Sequence, residues 1–93
     1  MITLILYSKP GCHLCEGLQE KLEKIQTSPQ KSGEFQLEIR DITTREDWFQ
    51  AYQYSIPVLF KSGDIDTPDQ PIPRPSPRMS VTQLEQMLQK YLE

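Results

Sequence analysis

Two cysteines stand three residues apart in the stretch Tyr7-Ser8-Lys9-Pro10-Gly11-Cys12-His13-Leu14-Cys15, and the chain has no others. Residues at that spacing share one face of a helix, with Cβ atoms about 5–6 Å apart, so the two sulfurs can join with small rotamer changes. The ring so closed restricts the unfolded chain by only about 2 kcal/mol, which suits a reversible bond better than a structural staple. Cys12 falls at or beside a helix N-terminus, where unpaired N–H groups and the helix dipole stabilise an anion. A thiol there titrates below its ordinary range and becomes a nucleophilic thiolate at neutral pH.

Other chemistries fit these residues less well. A zinc site needs about four ligands, and beyond the two cysteines only His13 offers a soft donor, so no metal site is expected within this chain. Covalent haem attachment needs histidine directly after the second cysteine, where Glu16 stands instead. Two inert buried thiols remain an alternative, and redox chemistry is the reading favoured. His13 either tunes the Cys12 thiolate electrostatically or is a solvated residue of the first helical turn.

The rest of the chain has to position that pair. Its 93 residues suffice for one domain, taken as 1–93, and 37% hydrophobic with 25% charged residues is the balance of an ordinary soluble protein. A net charge of -3 argues against a general nucleic-acid binder. No apolar run approaches the roughly 20 residues of a membrane span, and the N-terminal stretch lacks signal-peptide features. A cytoplasmic monomer with no nucleic-acid or membrane partner is therefore expected.

Ile2–Tyr7 reads as a buried strand broken by Pro10-Gly11. Leu14, Leu18, Leu22 and Ile25 mark one face of a helix from His13 to about Thr27, closed by Ser28-Pro29 ahead of a polar loop over Gln30–Glu34. Alternating Phe35, Leu37 and Ile39 predict a second strand to Asp41. Thr43 and Glu46 have capping-box spacing and open a helix that carries Trp48, Phe49 and Tyr52. Ile56–Phe60 reads as the third strand, Ser62-Gly63-Asp64 as a turn, and a weak fourth strand is placed around Asp64–Asp66. Five of the 8 prolines lie between Pro68 and Pro77, a segment too poor in apolar residues for a core strand. Ser80 and Gln83 form a second capping box before a last helix with Val81, Leu84, Leu88 and Tyr91 on one face. The order β-α-β-α-β-β-α predicts an α/β fold, a mixed four-stranded sheet flanked by three helices.

The cysteine stretch resembles the active site of glutaredoxins, within the thioredoxin superfamily, and Ile56-Pro57-Val58 resembles that family's cis-proline signature. The resemblance implies a thioredoxin-like fold with Cys12 as nucleophile and Cys15 as resolving thiol. It also implies that Pro57 exposes the Ile56 backbone to a substrate peptide or glutathione, that Lys9 reaches a glutathione carboxylate, and that His13 lies against the substrate. Here His13 and Leu14 replace the usual proline and aromatic between the cysteines. A longer proline-rich loop from Asp66 through Ser80 replaces the usual Gly-Gly turn and acidic pair. Arg74 and Arg78 in that loop are candidate carboxylate or phosphate contacts, the alternative being solvated loop arginines. The chain is most similar to divergent glutaredoxin-like domain proteins.

The function expected is dithiol–disulfide exchange on protein or low-molecular-weight disulfides. No cofactor is expected to be bound; glutathione is a candidate co-substrate, and glutathione or a thioredoxin-type reductase would be the electron donor. The rival readings are a non-catalytic interaction module presented by the stiff proline-rich loop and an iron–sulfur carrier.

Overall fold

The computed structural model describes residues 2–27 and 34–92, so the expected Ser28-Pro29 helix stop and most of the Gln30–Glu34 loop lie outside the described residues. Strand β1 (Ile2–Ser8) leads into helix α1 (His13–Gln26), then β2 (Phe35–Asp41), α2 (Glu46–Tyr52), β3 (Val58–Lys61), β4 (Gln70–Ile72) and α3 (Val81–Leu92). The sheet order is β2-β1-β3-β4, with β1 and β2 parallel and the β1–β3 and β3–β4 pairs antiparallel. The expected mixed four-stranded sheet with three α-helices is present.

β1 is central, and its period-2 alternation divides the interior. Leu4 and Leu6 pack with Leu18, Leu22 and Ile25 of α1 and with Leu84, Leu88 and Leu92 of α3. Ile5 and Tyr7 point to the opposite face, against Ile42, Trp48, Phe49 and Tyr52. Strand β1 is therefore buried on both faces, and Ser8 at its end is buried too. On the α2 face, Tyr7 lies 4.4 Å from the Tyr52 ring and edge-on to Trp48, with the Arg40 and Arg45 guanidiniums stacked on Trp48. Burial pushes the Tyr52 phenol above its ordinary range, and the neighbouring Tyr7 adds to that.

Four local expectations need correction. Leu14 does not join the α1 stripe, being 48% exposed; Cys15, at 1%, takes the inward position three residues before Leu18. The Thr43–Glu46 capping box does not form. Asp41 captures Thr43 instead, accepting its N–H at 2.9 Å and its hydroxyl at 2.6 Å, and caps a 3-10 turn over Ile42–Thr44. Helix α2 then starts after Arg45 with no side-chain cap. Strand β3 begins at Val58 and not at Ile56; the peptide bond between Ile56 and Pro57, just before it, is cis.

The fourth strand lies at Gln70–Ile72, inside the proline-rich segment, and not at Asp64–Asp66. Residues 62–69 form the connection: Asp64 accepts the Asp66 N–H, the Thr67 N–H reaches the Asp64 carbonyl, and Asp69 accepts the Gly63 N–H at 2.9 Å. The prolines permit a strand here because β4 is an edge, where a missing N–H need not break the ladder. Pro71 faces Phe60, and Ile72 supplies one apolar side chain to the core opposite Leu59. Ser80 and Gln83 do form the expected capping box, with reciprocal hydrogen bonds of 3.0 and 3.1 Å.

Gly63 is the tightest point of the connection, since a Cβ there would stand 2.0 Å from the Thr67 carbonyl oxygen. Gly63→Ala is expected to destabilise the protein by about 1–3 kcal/mol, measurable by urea denaturation. The Thr43 hydrogen bonds hold the Asp41 carboxyl below its usual range. That interaction stabilises the fold above the ordinary carboxylate range and is lost as pH falls through the lowered value. In Thr43→Ala the Asp41 midpoint, followed by NMR titration, should rise toward the ordinary value.

Candidate functional site

The cysteine pair sits at the junction between the central strand and α1. Gly11 makes the turn with φ of 82°, a conformation that favours glycine, and the Cys12 N–H closes the turn onto the Lys9 carbonyl at 3.3 Å. Cys12 is the N-cap of α1, with extended φ and ψ of -87° and 102°. Its Sγ accepts the Cys15 N–H at 3.2 Å, occupying one of the first-turn donors that no helical carbonyl can reach. Cys12 and Cys15 are joined as a disulfide with Cα atoms 5.3 Å apart. Cys12 is half-buried and Cys15 buried, so a partner approaching from solvent meets the Cys12 sulfur first.

His13 and Leu14, the two residues between the cysteines, both project outward. The His13 side chain is 95% exposed, with Nδ1 3.8 Å from a Glu16 carboxylate oxygen. Both residues line a groove of about 180 Å³ that runs between α1 and the loop before α3. Its walls are mainly apolar, with Leu14 and Leu18 on one side, Pro75, Met79 and Leu84 on the other, and the buried Pro57 between.

The expected site residues divide between two faces. His13, Pro57 and the exposed Arg74 line the groove together, while the Cys12–Cys15 disulfide flanks His13 and Leu14 in the chain without itself lining it. Ile56 is half-buried and packs on the Tyr7 side of the sheet. Lys9 is exposed and does not line the groove; it borders a second, more open cavity that includes Cys15, Glu16 and Asp41. Arg78 is exposed outside the groove, its N–H held by the Ser76 hydroxyl at 3.3 Å. The two loop arginines are therefore not brought to one place.

Lys21 is the group that sequence reasoning missed. From the flank of the buried α1 stripe its Nζ donates to the carbonyls of Pro77 at 2.9 Å and Met79 at 2.6 Å. One lysine thus ties the proline-rich loop to α1 across more than fifty residues of chain and holds the far wall of the groove. Its helical position between Leu18 and Leu22 was a signal, but the carbonyls it caps were not readable without the loop's path.

The family model of the glutaredoxin-like domain (DUF836) matches residues 3–89. No curated protein matches the chain. Among solved structures, a structural-genomics target protein from X. campestris is similar at 22% identity, over 94% of this chain and 96% of that one, with a TM-score of 0.56. A structure described as that of a malarial protein is similar at 16% identity, over 100% of this chain and 99% of that one, with a TM-score of 0.65. Likeness at these identities is one of fold, and the fold is thioredoxin-like.

Lys21→Met keeps the aliphatic stem and removes the donor. The loss is expected to cost about 1–2 kcal/mol in denaturant unfolding. Hydrogen exchange should accelerate at the Met79 and Ser80 amides while the sheet amides stay protected; unchanged exchange there would refute the tether.

Proposed function

The chain belongs to the glutaredoxin-like domain family, and on that premise we propose that it is a thiol–disulfide oxidoreductase acting through Cys12 and Cys15. The observation that carries this reading is the asymmetry of the pair. One sulfur is half-buried at a helix N-cap and accepts a backbone N–H, while the other is buried behind it. In the reduced protein the same N–H and the helix dipole favour the Cys12 thiolate over its thiol.

Exchange then proceeds in two steps. The Cys12 thiolate attacks a substrate disulfide, forming a mixed disulfide and releasing one substrate thiolate, which takes a proton from water. Cys15 loses its proton and attacks Cys12 Sγ, which releases the second substrate thiol and closes the Cys12–Cys15 bond. The protein gives up two electrons and the Cys15 proton, and the substrate gains both electrons, that proton and the one taken from water. Ile56, beside Pro57, would offer backbone to the substrate. His13 is too exposed to change Cys12 strongly, since water and salt screen it. Glutathione or a thioredoxin-type reductase would return the electrons, and Lys9 would serve a glutathione carboxylate from the opposite side of the pair.

Equilibration across glutathione redox buffers, acid quench, alkylation and intact-mass analysis test the reading. A reversible two-electron transition between dithiol and internal disulfide is expected. Cys12→Ser should abolish disulfide reduction, and Cys15→Ser should accumulate a mixed disulfide with substrate. Full reductase activity in Cys12→Ser, or no internal disulfide at any redox poise, would overturn the assignment.

A further inference from the structure

The groove beside the disulfide has a charge that the chain as a whole does not. The sequence carries 13 acidic against 10 basic residues. Among the described residues, however, no carboxylate lines the groove, and its charged groups are Lys21 and Arg74. The Lys21 ammonium is occupied by two loop carbonyls. The Arg74 guanidinium has no hydrogen-bond or ion-pair partner among the described residues and stands exposed at the rim. A planar fork of five donors without a partner is suited to a carboxylate.

The apolar part of the groove is equally specific in size. Its volume of about 180 Å³ exceeds the roughly 150 Å³ of a cavity that takes up benzene, so it accommodates one large aliphatic or aromatic side chain. Leu14, left 48% exposed between the two cysteines in the chain, forms part of its wall. Exposure of a large apolar residue at that point is explained if a partner's side chain covers it.

We propose that the groove selects client disulfides by their flanking sequence: an extended protein segment whose cysteine is followed by a bulky apolar residue and then by an aspartate or glutamate. The apolar side chain fills the space among Leu14, Leu18 and Met79, and the carboxylate pairs with Arg74. The inference rests on the redox reading above and names the substrates it favours. In the step it governs, the Cys12 sulfur bonds to the client cysteine's sulfur. The client disulfide breaks, its other sulfur leaves as a thiolate that is protonated by water, and Cys15 then releases the client as a thiol. The reduced protein supplies both electrons, so a single turnover needs no further reductant.

The test is single-turnover stopped-flow reduction of short peptides, each with one cysteine joined to 2-mercaptoethanol, by the fully reduced protein. The peptides carry Leu–Asp, Leu–Asn, Leu–Lys or Ala–Asp after the cysteine, and bis(2-hydroxyethyl) disulfide is the small reference substrate. The Leu–Asp peptide should react about fivefold faster than Leu–Lys, a ratio that falls as salt is raised. It should also outrun Ala–Asp by about tenfold. Arg74→Glu should reverse the Asp–Lys preference, read as the ratio of the two peptide rates in the same variant. Equal rates for all peptides, or a preference that survives Arg74→Glu, would overturn the groove assignment. Glutathione disulfide reacting as fast as the Leu–Asp peptide would do the same, since it supplies carboxylates without the apolar residue. Failure to reduce even the small disulfide would instead remove the redox reading on which the proposal stands.

Discussion

The first turn of a helix presents N–H groups that no carbonyl of the same helix can reach, and at α1 a sulfur is the acceptor that meets one of them. Ser, Thr, Asp and Asn satisfy such donors well and are the residues usually found there. A cysteine in that place is a poor choice for capping alone, so what its sulfur can do as an anion is the better explanation for it. The surrounding structure serves to hold that turn still. Gly11 takes the positive φ that the Lys9–Cys12 turn requires, β1 delivers the chain from the middle of the sheet, and α1 is anchored along its length by Leu18, Leu22 and Ile25. Because β1 is buried on both faces, neither end of the turn can drift without disturbing a packed layer.

Much of this was readable from residue types and spacing. The cysteine spacing, the breaking Pro10-Gly11, the period of α1 and the alternation in β2 are all local signals, and each led to the right element. The Ser80–Gln83 box is local as well, and it formed. The misreadings came where a local signal had a nearby competitor. Thr43 could have capped α2, but Asp41, two residues earlier, reached it first. Leu14 fits a helical stripe by count, yet Cys15 is nearer the inward direction and has to be covered for the pair to be asymmetric. The fourth strand was displaced because its pairing is decided by β3 across the sheet, a non-local contact that proline content only appeared to forbid.

The proline-rich segment also explains why a lysine is the group that secures the loop. Prolines have carbonyls but no N–H, so such a stretch is rich in acceptors and short of donors. Neighbouring backbone cannot supply what it lacks. A long cationic side chain from another element can, and Lys21 delivers donors to two carbonyls at once. The prolines in turn narrow the states open to the unfolded loop, so that holding one conformation costs less entropy. A stiff wall and a single tether are therefore enough to keep a groove open next to the cysteines, where a flexible glycine turn would give no wall.

The sheet ends on β2 and β4, and both of these edges are defended. β4 spans only Gln70–Ile72 and has a proline at its centre, while β2 carries Glu38 and Arg40 paired with each other along its length. Short strands, proline and charge are the devices that stop a sheet from being extended by a stray chain. A protein whose proposed partners arrive as extended peptides faces a conflict between hospitality and self-association. Under that proposal the two demands fall to different features: the groove along α1 would receive side chains of the peptide, while the edge ladders stay short, charged or interrupted by proline, so crowding many copies together need not turn recognition into aggregation.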